Sequence, residues 1–165
     1  MKKPTPEKPE KGQESVWDYP RPPRLEAASK HIRIVFNGEI IADTNQALRM
    51  LETSHPPTYY LPIEAVNPDC LVFSGHNSFC EFKGKAKYYD ITVGGKAAKK
   101  AAWFYPEPSR IYPDLQGHIA FYPAEMDACY VNDEKAVPQP GGFYGGWITS
   151  DLAGPFKGIP GSWGW

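Results

Sequence analysis

The sequence has few cysteines, and they are not spaced as pairs. Cys70, Cys80 and Cys129 make an odd number with no CxxC motif. This spacing argues against a disulfide framework and against a cysteine-rich zinc site. We therefore expect a reducing compartment, no metal and no other cofactor.

An excess of charge and a long apolar run are also lacking. The 18 Lys and Arg residues nearly balance 19 Asp and Glu, and the short basic patch at Lys96, Lys99 and Lys100 is too small to bind nucleic acid. No run of about 18 apolar residues could span a membrane. The first residues are followed by prolines and glutamates instead of a signal peptide. We expect a cytoplasmic protein that binds neither nucleic acid nor membranes.

Proline, glycine and aromatic residues are abundant instead. The chain has 18 prolines, 15 glycines and 14% aromatic residues, a mixture that interrupts long helices and supplies large side chains for a core. This composition favours an all-β fold. Residues 1–14 are mostly Pro, Lys and Glu with nothing to bury, so they are predicted to be a disordered arm. Residues 15–165 have the size of a single domain.

Alternating apolar residues predict about eight short antiparallel strands with one or two helical turns. Residues 32–36 and 39–42 flank Asn37-Gly38, the dipeptide favoured by a type I′ hairpin turn. Asp43 or Thr44 is predicted to cap a short helix over residues 45–51. Further strands are predicted at 70–73, 79–82, 86–93, 118–122 and 126–131, with a loop at 75–77. This pattern is typical of a small barrel-like or sandwich domain.

One twelve-residue stretch, LETSHPPTYYLP at 51–62, concentrates polar and aromatic groups among prolines. Pro56 and Pro57 restrict the backbone, so His55 is predicted to be held in a fixed, non-helical conformation. His55 is a candidate general acid or base that Glu52 would orient. In the alternative, its ring hydrogen-bonds a carbonyl and only secures the loop.

A second polar group is predicted on a strand at residues 80–83. Alternation would place Glu81 and Lys83 on one face, where they could act together as acid and base, and turn Cys80 inward. The alternatives are an ordinary surface ion pair and an ordinary buried thiol. A metal site using His55, His76, Cys80 and Cys129 is not predicted, because only His76 and Cys80 are close in sequence.

Several aromatic rings are candidates for a box around a flat or cationic ligand. Plain core packing is the alternative for each ring, and Tyr60 and Trp147 are favoured as ligand contacts because proline or glycine neighbours leave space beside them. The candidate rings are Tyr59, Tyr60, Trp103, Tyr144 and Trp147.

Four segments carry a family resemblance: Glu52–Tyr60 (ETSHPPTYY), Cys80–Ala86 (CEFKGKA), Trp103–Pro108 (WFYPEP) and Pro140–Thr149 (PGGFYGGWIT). On these motifs, the chain from about Val16 to Trp165 resembles the domain-of-unknown-function family number 427. The resemblance implies a small β domain of the β-tent type, similar to zinc-containing methionine sulfoxide reductases and the ligand-binding domain of cereblon. The CxxC knuckles that bind zinc in those relatives are absent, so their metal and reductase chemistry is not carried over.

The same family is also labelled nucleotidyltransferase-like. The sequence has no Walker loop, no Gly-Ser pair followed by two spaced aspartates and no basic phosphate cradle, so this activity is not expected either.

The leading hypothesis is a pocket that binds a small organic ligand. It would be lined by Glu52, His55, Tyr59, Tyr60, Glu81, Lys83, Tyr144 and Trp147, with Cys80 and Trp103 as further contacts. One alternative is a hydrolase or group transferase at this pocket, with His55 as acid or base, Glu52 or Glu81 as its partner and Lys83 stabilising negative charge. Another is a scaffold or homodimer in which the arm and the glycine-rich tail pack on a neighbouring chain.

Overall fold

The computed structural model describes residues 3–165 and confirms the all-β fold class. In this part of the chain the only helical segments are short 3₁₀ turns, and the sheets do not close into a barrel. The strands are β1 Glu14–Ser15, β2 Arg24–Ala27, β3 Ile32–Phe36, β4 Glu39–Thr44, β5 Leu48–Leu51, β6 Thr58–Pro62, β7 Leu71–Cys80, β8 Gly84–Val93, β9 Lys96–Phe104, β10 His118–Phe121, β11 Ala128–Val131, β12 Glu134–Lys135, β13 Val137–Pro138, β14 Trp147–Ile148 and β15 Leu152–Ala153. The 3₁₀ turns are Val16–Asp18, Ile63–Ala65, Pro68–Cys70, Pro113–Leu115 and Pro123–Glu125.

Two antiparallel sheets make up most of the fold. The larger has seven strands in the order β2-β5-β6-β10-β9-β8-β7, and the smaller has four in the order β12-β11-β3-β4. Two further sheets have two strands each. In one, β1 lies parallel to β15, and in the other, β13 lies antiparallel to β14. In the described residues no helix is long and apolar enough to cross a membrane.

The core forms where the two sheets face each other. Ile32, Ile34 and Phe36 alternate with half-buried residues along β3 and are at most 1% exposed. They belong to one buried cluster with Leu61 of β6 and Phe121 of β10. Full burial of one such side chain contributes on the order of 2 kcal/mol, so the period-two alternation fixes which face of each strand turns inward.

The predicted first hairpin is confirmed. Asn37 and Gly38 join β3 to β4 with φ values of 48° and 78°. Both values are positive, as a type I′ turn requires.

The predicted helix at 45–51 is wrong, because this segment becomes β5. Leu48 to Leu51 pair with β2 on one side and β6 on the other. The predicted Thr44 cap appears only as a local turn, in which the Gln46 N–H donates to Thr44 Oγ1 at 2.9 Å. Burial of Met50 and Leu51 between two neighbouring strands outweighs the local helical preference.

The second hairpin is longer than predicted, and the loop expected at 75–77 is wrong. Residues 74–76 instead form an irregularity within β7, where the pairing shifts from Phe73 with Tyr89 to Asn77 with Lys87. The turn of this hairpin is residues 81–83. Glu81 and Lys83 therefore lie in a turn, so the predicted strand face for this pair is also wrong.

The N-terminal arm contacts the C-terminal tail. The Glu7 N–H donates to the Gly154 carbonyl, and the Gly154 N–H donates to Glu7 Oε1, both at 2.9 Å. Residues 1 and 2 lie outside the described residues. These contacts place the described arm against the domain, while its disorder in solution stays a prediction.

A half-buried ion network fastens β1 to the large sheet. The Arg49 side chain, only 12% exposed, pairs with Glu14 of β1 and Glu26 of β2. The Tyr19 hydroxyl donates to Glu14 Oε1 at 2.6 Å. Burial opposes ionisation of Glu14, but Arg49 and Tyr19 outweigh it and lower its pKa below the ordinary value.

We predict that Arg49→Ala lowers the free energy of unfolding by about 1–3 kcal/mol at neutral pH, because it leaves partly buried carboxylates without their partner. Because the Glu14 pKa is lowered in the folded state, its contribution is complete above the ordinary glutamate pKa and is lost as the pH falls through the folded value. Denaturant unfolding of wild type and variant should therefore converge in acid.

Arg33→Ala is the matched control, since Arg33 faces an 82% exposed Asp133 at 3.9 Å and should cost less than about 1 kcal/mol. A pH-independent loss for Arg49→Ala, or an equal loss for the control, would contradict the network.

Candidate functional site

His55 lies in a tight connection between β5 and β6. Its N–H donates to the Glu52 carbonyl at 3.0 Å, and Ser54 adopts a φ of 73°. Pro56 and Pro57 follow and are buried. The prolines and this local turn hold the His55 backbone in place.

Both nitrogens of the His55 ring face protein groups. Nδ1 lies 3.1 Å from Nε2 of Gln139, and Nε2 lies 3.4 Å from Oε2 of Glu52. The ring of Tyr144 packs edge-on against the imidazole, with 5.2 Å between centroids. A neighbouring residue and the distant tail segment 139–144 therefore position one imidazole.

The orientation of the Gln139 amide follows from its other partners. Its Oε1 accepts from the Gly146 N–H at 3.1 Å, and its Nε2 donates to the Lys157 carbonyl at 2.8 Å. The group that faces His55 is therefore a donor, and Nδ1 must accept. The ring proton of neutral His55 lies on Nε2, directed at Glu52.

Glu52 is held as a carboxylate between positive groups. Arg21 Nη2 lies 3.6 Å from Glu52 Oε2 and also donates to the Thr53 carbonyl. Burial would raise the pKa of Glu52, but His55, Lys83 and Arg21 together outweigh burial and lower it. Glu52 is thus an ionised acceptor at neutral pH.

An open cleft of about 1100 Å³ extends from these polar groups over the large sheet. Aromatic rings form much of its wall, and Trp103 and Tyr122 pack against each other with 4.5 Å between centroids. The aromatic lining residues are Phe79, Phe82, Tyr88, Trp103, Tyr105, Tyr122, Phe143 and Tyr144. The polar lining residues are Glu52, His55, Thr58, His76, Ser78, Glu81, Lys83, Lys100, Glu125, Gln139 and Lys157.

The backbone of the glycine-rich tail packs so closely against other residues of the cleft that two of its positions have no room for a side chain. A Cβ on Gly145 would lie 2.3 Å from the Trp103 ring, and a Cβ on Gly146 would lie 2.4 Å from Gln139 Oε1 and 2.7 Å from Pro56 Cγ. Glycine at these two positions lets the tail form part of the cleft wall.

Seven of the ten predicted site residues line the same cleft. The structure brings together Glu52, His55, Cys80, Glu81, Lys83, Trp103 and Tyr144. Among the described residues, no group of three or more His, Cys, Asp or Glu is arranged to hold a metal ion.

The structure corrects the prediction that Tyr59, Tyr60 and Trp147 line the pocket. Tyr59 and Trp147 are at most 1% exposed and pack on each other in the main core, 4.9 Å apart. Tyr60 is 1% exposed and lies beside Trp103 and Tyr105, with its hydroxyl buried and unpaired. The glycine and proline neighbours that suggested open space instead permit close packing by the backbone.

Gln139, Tyr105, Tyr122 and Lys157 are site residues that sequence reasoning missed. Tyr105 and Tyr122 each precede a proline directly after a strand ends, which marks a boundary but does not indicate where the ring points. Gln139 lies between Pro138 and Pro140, and this rigid context is the one local signal that it carries.

We predict that nitrogen NMR of the imidazole rings shows neutral His55 protonated at Nε2, and that Gln139→Leu weakens this preference by removing the donor to Nδ1. His118, which lies outside the cleft, provides the internal control and should be unchanged. A wild-type ring protonated at Nδ1 would contradict the assigned amide orientation.

We also predict that Gly146→Ala lowers the free energy of unfolding by about 2–3 kcal/mol, because the added methyl group must displace Pro56 or the Gln139 amide. Gly117→Ala is the control: its Cβ meets open space and only the positive φ of 76° is strained, at about 1 kcal/mol. Equal unfolding midpoints for the two variants, measured in denaturant, would contradict close tail packing.

A comparison with curated proteins found no match to the chain. A comparison with protein-family models matches residues 24–132, about two thirds of the chain, to the family described as Domain of unknown function (DUF427). The matched part contains Glu52, His55 and Trp103, whereas Gln139 and Tyr144 follow it. Continuation of the resemblance through the tail stays a prediction. The family model matches more than half of the chain, and the chain therefore belongs to the family described as Domain of unknown function (DUF427).

Proposed function

We propose that the cleft binds a small organic molecule that carries a flat ring and hydrogen-bond donors. The observation that supports this most strongly is the meeting of an aromatic wall, around Trp103 and Tyr122, with the oriented Glu52–His55 pair in one cleft. Aromatic surface contributes most of the contact area in such sites, and a few placed polar groups give orientation.

The size and shape of the cleft fit this proposal. Its volume of about 1100 Å³ is close to the upper part of the usual range for small-molecule sites. The rings of Trp103 and Tyr105 are held by buried packing against Tyr60. A preformed wall lowers the ordering cost of binding.

Charge in the cleft indicates which polar groups the ligand would carry. Glu52 stays ionised, because the surrounding positive groups lower its pKa. An ionised carboxylate accepts strong hydrogen bonds from N–H or O–H groups. Lys157, whose Nζ lies 5.9 Å from the Tyr144 ring centroid, offers a cationic contact at the same wall.

Binding is favoured over proton transfer by His55. A general base needs a free lone pair within reach of the substrate. In His55 the lone pair of Nδ1 accepts from Gln139, and the Nε2 proton is directed at Glu52. This arrangement suits a ring that positions the carboxylate.

Native mass spectrometry of the protein taken directly from its host tests the proposal, followed by thermal-shift screening of a metabolite panel. We predict a retained small molecule, or a compound that raises Tm. Glu52→Gln should weaken its binding by about tenfold, because one charge-assisted hydrogen bond is lost. Tyr144→Ala should weaken it through lost ring contact.

Glu107→Gln is the matched control, since Glu107 is exposed and does not line the cleft. Two results would overturn the proposal: no retained molecule together with no stabilising compound, or catalytic turnover of the compound that depends on His55.

A further inference from the structure

Strand β7 forms a free edge of the large sheet. It is the last strand in the seven-stranded order and, among residues 3–165, pairs with β8 alone. Ten residues, Leu71–Cys80, thus present backbone N–H and C=O groups on one side without a neighbouring strand. A long exposed edge of this kind is a template for pairing with another strand.

The other edge strands of the seven-stranded and four-stranded sheets carry charged residues or are short. The opposite edge, β2, has four residues and carries Arg24 and Glu26. In the smaller sheet, β4 carries Glu39 and Asp43, and β12 consists of Glu134 and Lys135. Charged side chains at an edge discourage pairing.

Strand β7 lacks this protection. Its sequence, LVFSGHNSFC, contains neither a charged residue nor a proline. Three large apolar side chains on it are exposed: Val72 at 45%, Phe73 at 54% and Phe79 at 79%. This surface is independent of the arm and the tail, which contact each other within the chain.

The order of residues in β7 indicates what would cover it. Apolar residues occupy both ends, at 71–73 and 79–80, and small or polar residues occupy the middle. An antiparallel copy of the same strand would place apolar ends against apolar ends. The irregularity at 74–76 lies near the centre, where two copies would need no regular ladder.

We propose that β7 pairs antiparallel with β7 of a second copy of this chain. In this register Phe73 lies opposite Phe79, and Val72 lies opposite Cys80 of the other copy. Each of these pairs shares one face of the joined sheet, as the pairing of β7 with β8 requires. The two-fold axis passes through residue 76, which gives two equivalent short ladders at the ends of the strand. Such an interface is isologous and uses the free edge of both copies, so assembly closes at the dimer.

Pairing would also extend the wall of the cleft. Ser78, Phe79 and Cys80 line the cleft from β7. In the dimer, Val72 of the second copy would lie beside Cys80 at the cleft rim. The pairing does not depend on the proposed ligand, because it uses the backbone edge and apolar side chains of the free protein.

The full chain tests this by size-exclusion chromatography with light scattering over a dilution series, with reductant present so that Cys80 cannot cross-link. Wild type should show twice the mass of one chain at high concentration. Phe73→Glu and Phe79→Lys should each raise the dimer dissociation constant by more than about tenfold.

Ile40→Lys is the matched control, because Ile40 is 58% exposed but lies on β4 of the smaller sheet and outside the cleft. It should leave the dimer unchanged. An equal effect of this control would show non-specific association and overturn the proposal, as would a wild type with the mass of a single chain at every concentration. A wild type that is monomeric at every concentration would indicate a strand of a different protein as the partner of β7.

Combining Phe73→Glu with Phe79→Lys tests the register. In the double variant the introduced carboxylate of one copy lies opposite the introduced ammonium of the other, so the dimer should return. Circular dichroism should show that each variant keeps its β structure. A folded double variant that stays monomeric would contradict the proposed pairing.

Discussion

The buried amide of Gln139 is the interaction on which the geometry of the cleft depends. Its side chain accepts from Gly146, donates to the Lys157 carbonyl and donates to His55. These three partners belong to segments that no single sheet joins. Since a buried amide left unpaired is costly, each bond constrains the other two. The orientation of His55, and through it the surroundings of Glu52, therefore follows from the packing of the tail.

Close backbone packing makes these bonds possible. Gly145 lies against the Trp103 ring and Gly146 against Pro56 and Gln139, at separations that exclude a Cβ. The Trp147 N–H then donates to the Pro57 carbonyl, and its ring enters the main core. The tail is thus anchored by a fully buried tryptophan on one side of the glycines and by Gln139 on the other. The cleft wall is as rigid as the core that supports it.

Local signals in the sequence predicted much of the fold. The Asn37-Gly38 turn and the strand alternation of β3 depend on neighbouring residues, and both were confirmed. Residues 45–51 were predicted wrongly because the strand at 48–51 depends on pairing with β2 and β6, which the local helical preference of the segment does not reveal. The candidates Glu52, His55 and Trp103 do line the cleft, and their roles there stay predictions. The prediction of cleft residues failed for Tyr59 and Trp147, because only the fold determines whether a large ring beside glycine or proline meets a ligand or the core. Gln139 could not be found, since its role comes entirely from its long-range partners.

The central claim is that one cleft combines the Glu52–His55 pair and the Trp103 wall into a ligand site. The most direct test is a crystal structure of the protein purified from its host without any step that removes bound molecules. We expect non-protein density that contacts Glu52 or His55 at one end and the ring of Trp103 at the other. A cleft that contains only water, with His55 and Gln139 in the arrangement described here, would contradict the claim.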